Sequence, residues 1–417
     1  MNKKAILFAT FAMTFFSCGG IEVEKYIPPT MKQDTIPAEK IVYKNQAKQL
    51  YDLISERYLI KSGTYKGLFL ENYPIQSGDP EHSYLWNYVS LMSGVSLLNQ
   101  LGYNVNYADK MEGFERYYSV SGVQNVGGYS SSTNGTSGTG TRFYDDNSIV
   151  GLEMLRAYDQ LKDSKFLDHC RQIVAFLKSG EDEINGNALW WNEAQKNIAG
   201  NTDSNKPACA NGFACNFLLK YYQVCPSDEK ANVLAFAKRL YTWLYNNLRD
   251  PEDNTYWNDM QVDKTINKTK WTYNSGVMIS NGIQLYRITG DQNYLSQAIK
   301  TAEGAYNYFV RPRGNMALAY PDSDPWFNTK LFDAYIELVP YNSTAANYVD
   351  TYIHFMNNAI TSARTSDGFF YEDWTGGSPK RYYSLLTQGA ALESLARIAI
   401  YKGETTHYYF GLRCRLQ

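Results

Sequence analysis

The sequence Arg142-Phe143-Tyr144-Asp145-Asp146-Asn147 joins two segments of very different composition. A glycine- and serine-rich loop, 127–141, precedes it, and an amphipathic segment, 148–161, follows it with apolar residues at helical spacing. Two adjacent carboxylates therefore lie where a loop becomes a helix. Similar long polar loops alternate with helical segments along most of the chain, and this alternation predicts the fold.

Helical patterns account for almost all of the remaining sequence. The segments 161–167 and 288–295 resemble each other: both end one helix, cap the next with an acidic residue and bury an aromatic residue beside leucine. This echo favours six helical hairpins, which close into a ring when stacked in sequence. The predicted helices are 45–60, 82–100, 104–118, 146–161, 164–179, 205–223, 227–248, 272–289, 291–309, 325–339, 342–362 and 384–402.

The acidic pair Asp145-Asp146 has two interpretations. In the structural one, the carboxylates only begin the helix, because Asp accepts hydrogen bonds from free N–H groups and complements the helix dipole. In the catalytic one, adjacent like charges separate the two pKa values and leave one carboxyl ionised and one protonated. Glycoside hydrolysis uses that combination. One acid suffices to begin a helix, so the second favours catalysis.

The N-terminal segment predicts export from the cytoplasm. A short basic start, 1–4, leads into an apolar run, 5–16, that is too short to span a bilayer. The run ends at Phe15-Phe16-Ser17-Cys18-Gly19, which resembles a bacterial lipobox except that leucine is usual at the position of Phe15. We expect cleavage before Cys18, lipidation of Cys18 and attachment to the outer membrane. An ordinary secreted signal peptide is the alternative.

Three parts are therefore expected: a lipoprotein signal peptide over 1–17, a flexible tether over 18–40, and one domain over 41–417. The tether lacks apolar periodicity and contains Pro28, Pro29 and Pro37. No second linker interrupts the remaining sequence, so a single domain and a monomer are expected.

Composition narrows the classes of partner. Lysine and arginine number 40 against 42 aspartates and glutamates, so a nucleic-acid partner is not expected. The 36 tyrosines and 8 tryptophans suit helix packing or sugar stacking. The histidines are isolated and no Cys-x-x-Cys occurs, so no metal site and no cofactor are expected. Besides Cys18, we expect buried free thiols at Cys170, Cys209, Cys215, Cys225 and Cys414.

Six separated motifs, in a fixed order between Ala47 and Tyr401, resemble glycoside hydrolase family 76, whose members are endo-acting α-1,6-mannanases. The motifs are His82-Ser83-Tyr84-Leu85-Trp86; Tyr144-Asp145-Asp146-Asn147; Trp190-Trp191 followed by Lys196-Asn197; Trp271-Thr272-Tyr273-Asn274-Ser275-Gly276; Leu285-Tyr286-Arg287-Ile288-Thr289-Gly290-Asp291; and Gly368-Phe369 before Trp374. The sequence departs from the family at Ile149, usually tryptophan, and at Ser275, usually glutamine.

The resemblance implies an all-α (α/α)6 toroid that hydrolyses α-1,6-linked mannan with retention of configuration and without a cofactor. By position in the motif, Asp145 is expected to be the nucleophile and Asp146 the general acid/base, although the residues alone leave the reverse assignment open. Retention requires the two carboxyl groups to lie about 5 to 5.5 Å apart. Consecutive helical side chains diverge by about 100°, which allows the pair to flank one bond.

Nine further residues are expected to bind substrate, and seven of them have a structural alternative. The alternatives are a solvated loop charge for the aspartate, helix caps for the two asparagines, packing beside such a cap for Tyr273, and the protein core for the three tryptophans. The nine are Tyr144, Asn147, Trp86, Trp191, Lys196, Asp259, Tyr273, Asn274 and Trp374.

Two other functions fit the sequence. Another glycosidase, a lyase or a sugar epimerase with an α/α toroid is one, although few histidines lie in the loops. A surface glycan-binding lipoprotein without turnover is the other. A binding protein does not need both Asp145 and Asp146, so the intact pair favours an enzyme.

Overall fold

The structure is a computed structural model that describes residues 41–404 except 121, 124 and 323. Its described part contains twelve α-helices. In chain order they are α1 (Tyr43–Arg57), α2 (Leu85–Gln100), α3 (Tyr107–Met111), α4 (Tyr144–Leu161), α5 (Lys165–Gly180), α6 (Ala208–Val224), α7 (Lys230–Asn247), α8 (Thr272–Thr289), α9 (Gln292–Phe309), α10 (Pro325–Leu338), α11 (Ala345–Ser362) and α12 (Leu385–Tyr401).

The even-numbered helices form a closed inner ring. Each contacts the next even-numbered helix, and α12 returns to contact α2. The odd-numbered helices pack around the outside: α3, α5, α7, α9 and α11 each lie against the inner helix that precedes them, and α1 lies against α12. Six inner and six outer helices make an (α/α)6 toroid, which confirms the predicted fold class.

Inner and outer helices differ in how they bury their surfaces. α2 and α8 are buried on almost every side, whereas α5 and α9 bury one apolar face, as surface helices do. Small residues let the inner helices approach closely. A Cβ atom on Gly389 of α12 would lie 2.7 Å from the backbone nitrogen of Leu91 on α2, so only glycine fits there.

The connections place all the long loops at one end of the toroid. Consecutive helices in hairpins are antiparallel, so the inner helices run parallel and their N-termini meet at the same end. We name this the loop end. The connections entering inner helices are long and lie there, whereas those leaving inner helices, such as 162–164 and 290–291, are short. The long connections are 58–84, 118–143, 181–207, 248–271, 310–324 and 363–384.

Short strands within these long loops tie neighbouring loops together. β1 pairs with β13, which joins the loops before α2 and α12, while β8 pairs with the β9–β10 hairpin, which joins the loops before α6 and α8. The strands are β1 (Asn72–Tyr73), β2 (Tyr118–Ser119), β3 (Gly128–Tyr129), β4 (Ser132–Thr133), β5 (Gly138–Thr139), β6 (Glu181–Asp182), β7 (Ala188–Leu189), β8 (Asn205–Pro207), β9 (Trp257–Gln261), β10 (Ile266–Lys270), β11 (Arg311–Arg313), β12 (Met316–Ala319) and β13 (Tyr383–Ser384).

A buried amide at the fourth residue of an inner helix fixes each of three loops. The side chain both donates to and accepts from the backbone of one loop residue, as a neighbouring strand would. In α8 the equivalent residue is Ser275, whose hydroxyl accepts from the Tyr256 N–H at 3.3 Å. The three amide pairs are Asn147 with Tyr129, Asn211 with Leu189, and Gln388 with Phe370.

The two turns that resembled each other in sequence also share a structure. Lys162 and Gly290 both end their helices in the left-handed region, at φ of 57° and 74°. Asp163 and Asp291 then accept from the backbone N–H two residues later. The predicted helix 104–118 is corrected: it divides into α3 and a 3-10 helix, Glu112–Tyr117.

Several sequence predictions concern residues outside the described part, including the signal peptide, the tether, Cys18 and Cys414. Within residues 41–404, Cys170, Cys209, Cys215 and Cys225 are buried free thiols, as predicted. None of the described helices is long and apolar enough to cross a bilayer. The described residues also contain no cluster of three metal-ligating side chains.

Candidate active site

Asp145 and Asp146 are the second and third residues of α4, an inner helix, and therefore lie at the loop end. The loop before α6 crosses this helix start, where the Tyr144 N–H donates to the Trp191 carbonyl at 3.0 Å. Each aspartate is 8% exposed, so both are nearly enclosed but retain some access to solvent.

Three hydrogen bonds converge on the Asp145 carboxylate. Its Oδ1 accepts from the Asp146 N–H at 3.1 Å. Its Oδ2 accepts from Trp191 Nε1 at 3.1 Å and from Cys209 Sγ at 3.1 Å. Burial raises the pKa of Asp145, and the hydrogen bonds from Cys209, Asp146 and Trp191 oppose that rise.

The Asp146 carboxyl group has a different environment. Among the described residues no group donates a hydrogen bond to it. Burial raises its pKa well above the ordinary aspartate value, and the neighbouring charge of Asp145 raises it further. The unequal hydrogen bonding favours Asp145 as the ionised member of the pair and Asp146 as the protonated one.

No cation among the described residues forms an ion pair with either aspartate. Arg142 is paired with Glu193, whose Oε2 accepts from Arg142 Nε at 2.7 Å, and both side chains are buried. Arg142 also donates to the carbonyl groups of Ser119 and Val126, so it fixes the loop that enters α4. The acids thus remain electrostatically unneutralised.

Lys196, predicted to bind substrate, lies on the outer side of α4. Its ammonium group donates to the Ser179 carbonyl near the C-terminus of α5 and lies 5.3 Å from the centre of the Tyr144 ring. Tyr144 is fully buried and stacks on Phe176 at 4.8 Å. Both side chains hold α4 against α5. This corrects the predicted contact of buried Tyr144 with substrate, whereas Lys196 is partly exposed and its contact with substrate stays a prediction.

Asn147 and Trp374 are also fully buried. The Asn147 amide is occupied by the backbone of Tyr129 and Phe143, so it fixes the loop and leaves no group for a ligand. Trp374 packs between Phe355 and Phe370 against α11. The structure places both residues in the core, as their structural alternatives supposed, although Asn147 clamps a neighbouring loop as well as its own helix.

Asp259 and Asn274 are buried polar residues with opposite surroundings. Asp259 is 2% exposed and accepts from the side-chain amides of Asn258, Gln261 and Asn267, so it holds the β9–β10 hairpin. It is neither a solvated charge nor open to a ligand. Asn274 is fully buried, and its amide has no hydrogen-bond partner among the described residues.

The second residues of several inner helices meet at the centre of the loop end. Cys209 of α6 donates to Asp145 of α4, and Tyr273 of α8 faces Cys209. On α2 and α10, Trp86 and Trp326 meet edge to face at 4.4 Å. The contact of Trp86, Trp191 and Tyr273 with substrate stays a prediction.

Aromatic side chains border the acids on two sides. Phe143 and Trp191, both partly exposed, lie 4.9 Å apart beside Asp145. Across Cys209, the Tyr273 ring contacts Phe327 at 4.1 Å, and Phe327 contacts Trp271 at 5.7 Å. These flat apolar faces suit stacking on sugar rings.

A cavity of about 250 Å³ adjoins this aromatic border. Trp271 and Phe327 form part of its wall, together with Asp324, the N-cap residue of α10. Burial raises the pKa of Asp324 to about 6, despite hydrogen bonds from the backbone of Trp326 and Phe327. Neither aspartate of the pair lines this cavity, so it lies beside the candidate catalytic centre.

Sequence reasoning missed Cys209, Phe327 and Asp324. A signal for Cys209 exists in the repeated helix starts, where the second residue faces the centre and the fourth clamps a loop. Recognising it requires the helix starts to be known to the residue. The four starts, with second and fourth residues in order, are Asp145-Asp146-Asn147, Cys209-Ala210-Asn211, Tyr273-Asn274-Ser275 and Trp326-Phe327-Asn328.

Comparisons with known proteins agree with this architecture. Residues 43–407 match the sequence model of glycosyl hydrolase family 76. No curated protein sequence matched the chain. Among solved structures, the family 76 mannosidase Bt3792 of Bacteroides thetaiotaomicron VPI-5482 superposes with a TM-score of 0.76 at 23% identity, covering 87% of this chain and 99% of that chain.

A second solved structure, the GH76A α-1,6-mannanase of Salegentibacter sp. HEL1_6, has a TM-score of 0.69 at 22% identity and covers 86% of this chain and 99% of that chain. An inactive variant of that mannanase, with two consecutive aspartates changed to alanine, was solved with α-1,6-mannotetrose. At these identities the structural likeness establishes the fold.

An (α/α)6 toroid with a buried carboxylate pair at its loop end defines a class of glycoside hydrolases. The family match spans most of the sequence and includes both acids. The chain belongs to glycosyl hydrolase family 76.

Proposed function

We propose that the protein is an endo-acting α-1,6-mannanase that works with retention of configuration. Asp145 is the nucleophile and Asp146 is the general acid/base. The observation that carries this assignment is the unequal hydrogen bonding of the pair: three donors reach Asp145, and none of the described residues donates to the Asp146 carboxyl group.

The proposed reaction has two steps. Ionised Asp145 attacks the anomeric carbon while Asp146 gives its proton to the departing glycosidic oxygen, which yields a mannosyl ester on Asp145 and a shortened chain. Asp146, now ionised, then takes a proton from water as the water attacks the same carbon and releases Asp145. In the first step Asp145 is charged and Asp146 is protonated. In the second step Asp146 is charged and Asp145 is held as the ester.

Two lines support α-1,6-linked mannan as the substrate. The Salegentibacter mannanase shares the fold, and its inactive variant carries two consecutive aspartates replaced, as this chain carries Asp145 and Asp146 in sequence. The aromatic borders at Trp191 and Phe327 also suit an extended sugar chain on either side of the acids.

Incubation with linear α-1,6-mannan, followed by chromatography of the products, tests the proposal. We expect a ladder of mannooligosaccharides early in the reaction, since an endo-acting enzyme cuts within the chain. Linear α-1,2- and α-1,3-linked mannooligosaccharides are the matched control substrates and are expected to remain intact. Binding of α-1,6-mannan without product would support the glycan-binding alternative instead.

We further propose that the enzyme is a lipoprotein anchored to the outer membrane through Cys18. The apolar run 5–16 followed by Ser17-Cys18-Gly19 supports this proposal. Metabolic labelling with palmitate in a bacterial host is expected to mark the wild type and not Cys18→Ala. Equal labelling of the two would refute the anchor, and secretion of unlabelled wild type would favour an ordinary signal peptide.

A further inference from the structure

A buried thiol reaches the candidate nucleophile from a neighbouring helix. Cys209 is the second residue of α6, and its Sγ donates to Asp145 Oδ2 at 3.1 Å. Cys209 is only 7% exposed. Most buried cysteines pack as small apolar residues, as does Cys170, whose sulfur lies 3.9 Å from the Gly151 carbonyl. Cys209 differs because its nearest polar partner is a carboxylate.

The sulfur of Cys209 also has a polar neighbour on the next inner helix. The Tyr273 hydroxyl faces it and lowers the pKa of the thiol, against the larger effect of burial. Packing holds the Tyr273 ring, which stacks on Phe213 with an interplanar angle of 11° and contacts Phe327. Asp145, Cys209 and Tyr273 thus lie in order on three consecutive helices of the ring.

The protonation states of these groups decide which of them donates. Burial raises the pKa of Cys209 well above the ordinary thiol value, and burial likewise raises the pKa of Tyr273. Both groups are therefore protonated at neutral pH. The thiol donates to Asp145, and the acceptor of that hydrogen bond is best satisfied as a carboxylate.

We propose that Cys209, itself oriented by Tyr273, is a positioning residue that holds Asp145 in its ionised form and fixes the direction of its Oδ2. This inference rests on the proposed function of Asp145 as nucleophile. Cys209 takes no part in bond making. It favours the ionised form of one aspartate of an otherwise similar pair, and so separates the roles of the two.

Two other donors also reach Asp145. The Asp146 N–H, on the same helix, donates to Oδ1 at 3.1 Å, and Trp191 Nε1, on the crossing loop, donates to Oδ2 at 3.1 Å. The acid on that loop, Glu193, is paired with Arg142. Tyr273 of α8 faces Cys209, and Asp324 at the start of α10 faces Tyr273. The thiol is therefore the one donor to Asp145, among the described residues, that comes from a neighbouring inner helix.

Titration of the Asp145 carboxyl group tests the proposal without any substrate. The protein is labelled with 13C at aspartate side chains, and Asp145→Asn identifies the resonance. In Cys209→Ala we expect the Asp145 pKa to rise by about 0.5 to 1 unit, because one hydrogen bond to a charged group is lost and a thiol is a weak donor. Tyr273→Phe should shift it in the same direction by less.

Two variants serve as controls. Cys209→Ser keeps a donor in place and should leave the Asp145 pKa within about 0.3 unit of the wild type. Cys215→Ala removes another buried thiol from the same helix, one that donates to the Ala237 carbonyl at 3.3 Å on the side facing α7, and should change nothing. Thermal unfolding of each variant establishes that it is folded, and Tyr273→Phe provides the test if Cys209→Ala does not fold.

The pH profile of kcat/KM on linear α-1,6-mannooligosaccharides should follow the same order. Its acidic limb should move to higher pH in Cys209→Ala and return in Cys209→Ser. An unchanged Asp145 pKa in folded Cys209→Ala, or in folded Tyr273→Phe where Cys209→Ala does not fold, overturns the proposal. Wild-type protein that cleaves no mannan overturns the proposed function instead, and the carboxyl titration still decides whether the thiol sets the Asp145 pKa.

Discussion

Two sets of buried carboxylates on the inner ring have opposite electrostatic environments. At the loop end, Asp145 and Asp146 have no cationic partner among the described residues. Deeper in the ring, Glu393 of α12 is fully buried and accepts from Lys330 at 2.8 Å and from Arg397 at 3.1 Å. Burial alone would raise the pKa of Glu393, but the neighbouring cations lower it far below the ordinary value.

The difference shows that charged partners, and not burial, decide what a buried acid does in this fold. Glu393 also accepts from Trp326 Nε1 at 2.8 Å, so its cluster connects α10 and α12 and stabilises the ring. The aspartate pair gains no such compensation, and its burial costs folding free energy. Such a cost is typical of functional sites, where reactivity matters more than stability.

The largest effect should come from removing either member of the pair. Asp145→Asn and Asp146→Asn should each reduce kcat on linear α-1,6-mannan by about 10³-fold or more, because one carries the nucleophile and the other the transferable proton. Product release measured by chromatography decides this. Wild-type turnover in either variant would show that the assignment is wrong.

Asp146→Asn should show no loss of stability. Asparagine resembles the neutral acid in size and charge, and none of the described residues donates to the Asp146 carboxyl group, so the free energy of unfolding in urea at neutral pH is expected to stay within about 0.5 kcal/mol of the wild type. A clear decrease would mean that Asp146 stabilises the fold, as Glu393 does.

Glu393→Gln should have the opposite result. It leaves Lys330 buried without its anion, and it removes one of the two anions of Arg397, which keeps Asp333 at 2.6 Å. The free energy of unfolding should fall by about 3 kcal/mol, as is usual when one partner of a buried pair is removed. Urea unfolding measures the loss. The matched control is Lys162→Ala, which breaks an exposed pair with Asp159 and should cost less than about 0.5 kcal/mol.

Stability should depend on pH with opposite signs in the two regions. The pKa of Glu393 is lowered in the folded protein. Its contribution to stability is therefore complete above its unfolded pKa of about 4.3 and is lost as the pH falls towards the lower pKa of the folded state. The pKa of Asp146 is raised, so its ionisation opposes folding as the pH rises. The advantage of wild type over Glu393→Gln should therefore shrink in acid, whereas any advantage of Asp146→Asn should grow in base.

A smaller effect is expected at Glu71, a third acid at the loop end. Burial raises its pKa to about 7, although the Tyr84 N–H and the Asn87 amide donate to it. Its ionisation should cost stability as the pH rises from about 5 to about 8. Relative to wild type, Glu71→Gln should gain about 1 kcal/mol over that interval, measured by urea unfolding at both pH values. No change would show that the partners of Glu71 offset the cost of its burial, as the cations do for Glu393.

Much of the fold was predictable because helix periodicity and turns are local. The turns at Lys162 and Gly290 were recognised from their sequences, and the predicted helix boundaries mostly agree with the structure within a few residues. The strands were not predicted. β9 and β10 consist largely of polar residues without apolar alternation, and their pairing depends on loops brought together by the ring.

The site was predictable only in part, because the direction of a loop residue depends on the whole ring. Trp191 donates to Asp145, and Tyr273 faces Cys209, while their contact with substrate stays a prediction. Trp374 was misassigned because a tryptophan can stack on sugars or pack in the core, and the sequence around Trp374 does not distinguish the two roles. Cys209 has no motif of its own and becomes recognisable only when the starts of α4 and α6 are compared.

The most direct test of the central claim, that Asp145 is the charged nucleophile and Asp146 the protonated acid, is rescue by azide. Asp145→Ala and Asp146→Ala are each incubated with an activated α-1,6-mannobioside and azide, and the anomeric configuration of the glycosyl azide is read by proton NMR. We predict an α-azide from Asp146→Ala, since Asp145 still forms the ester, and a β-azide from Asp145→Ala through direct attack. The reverse pattern would contradict the account.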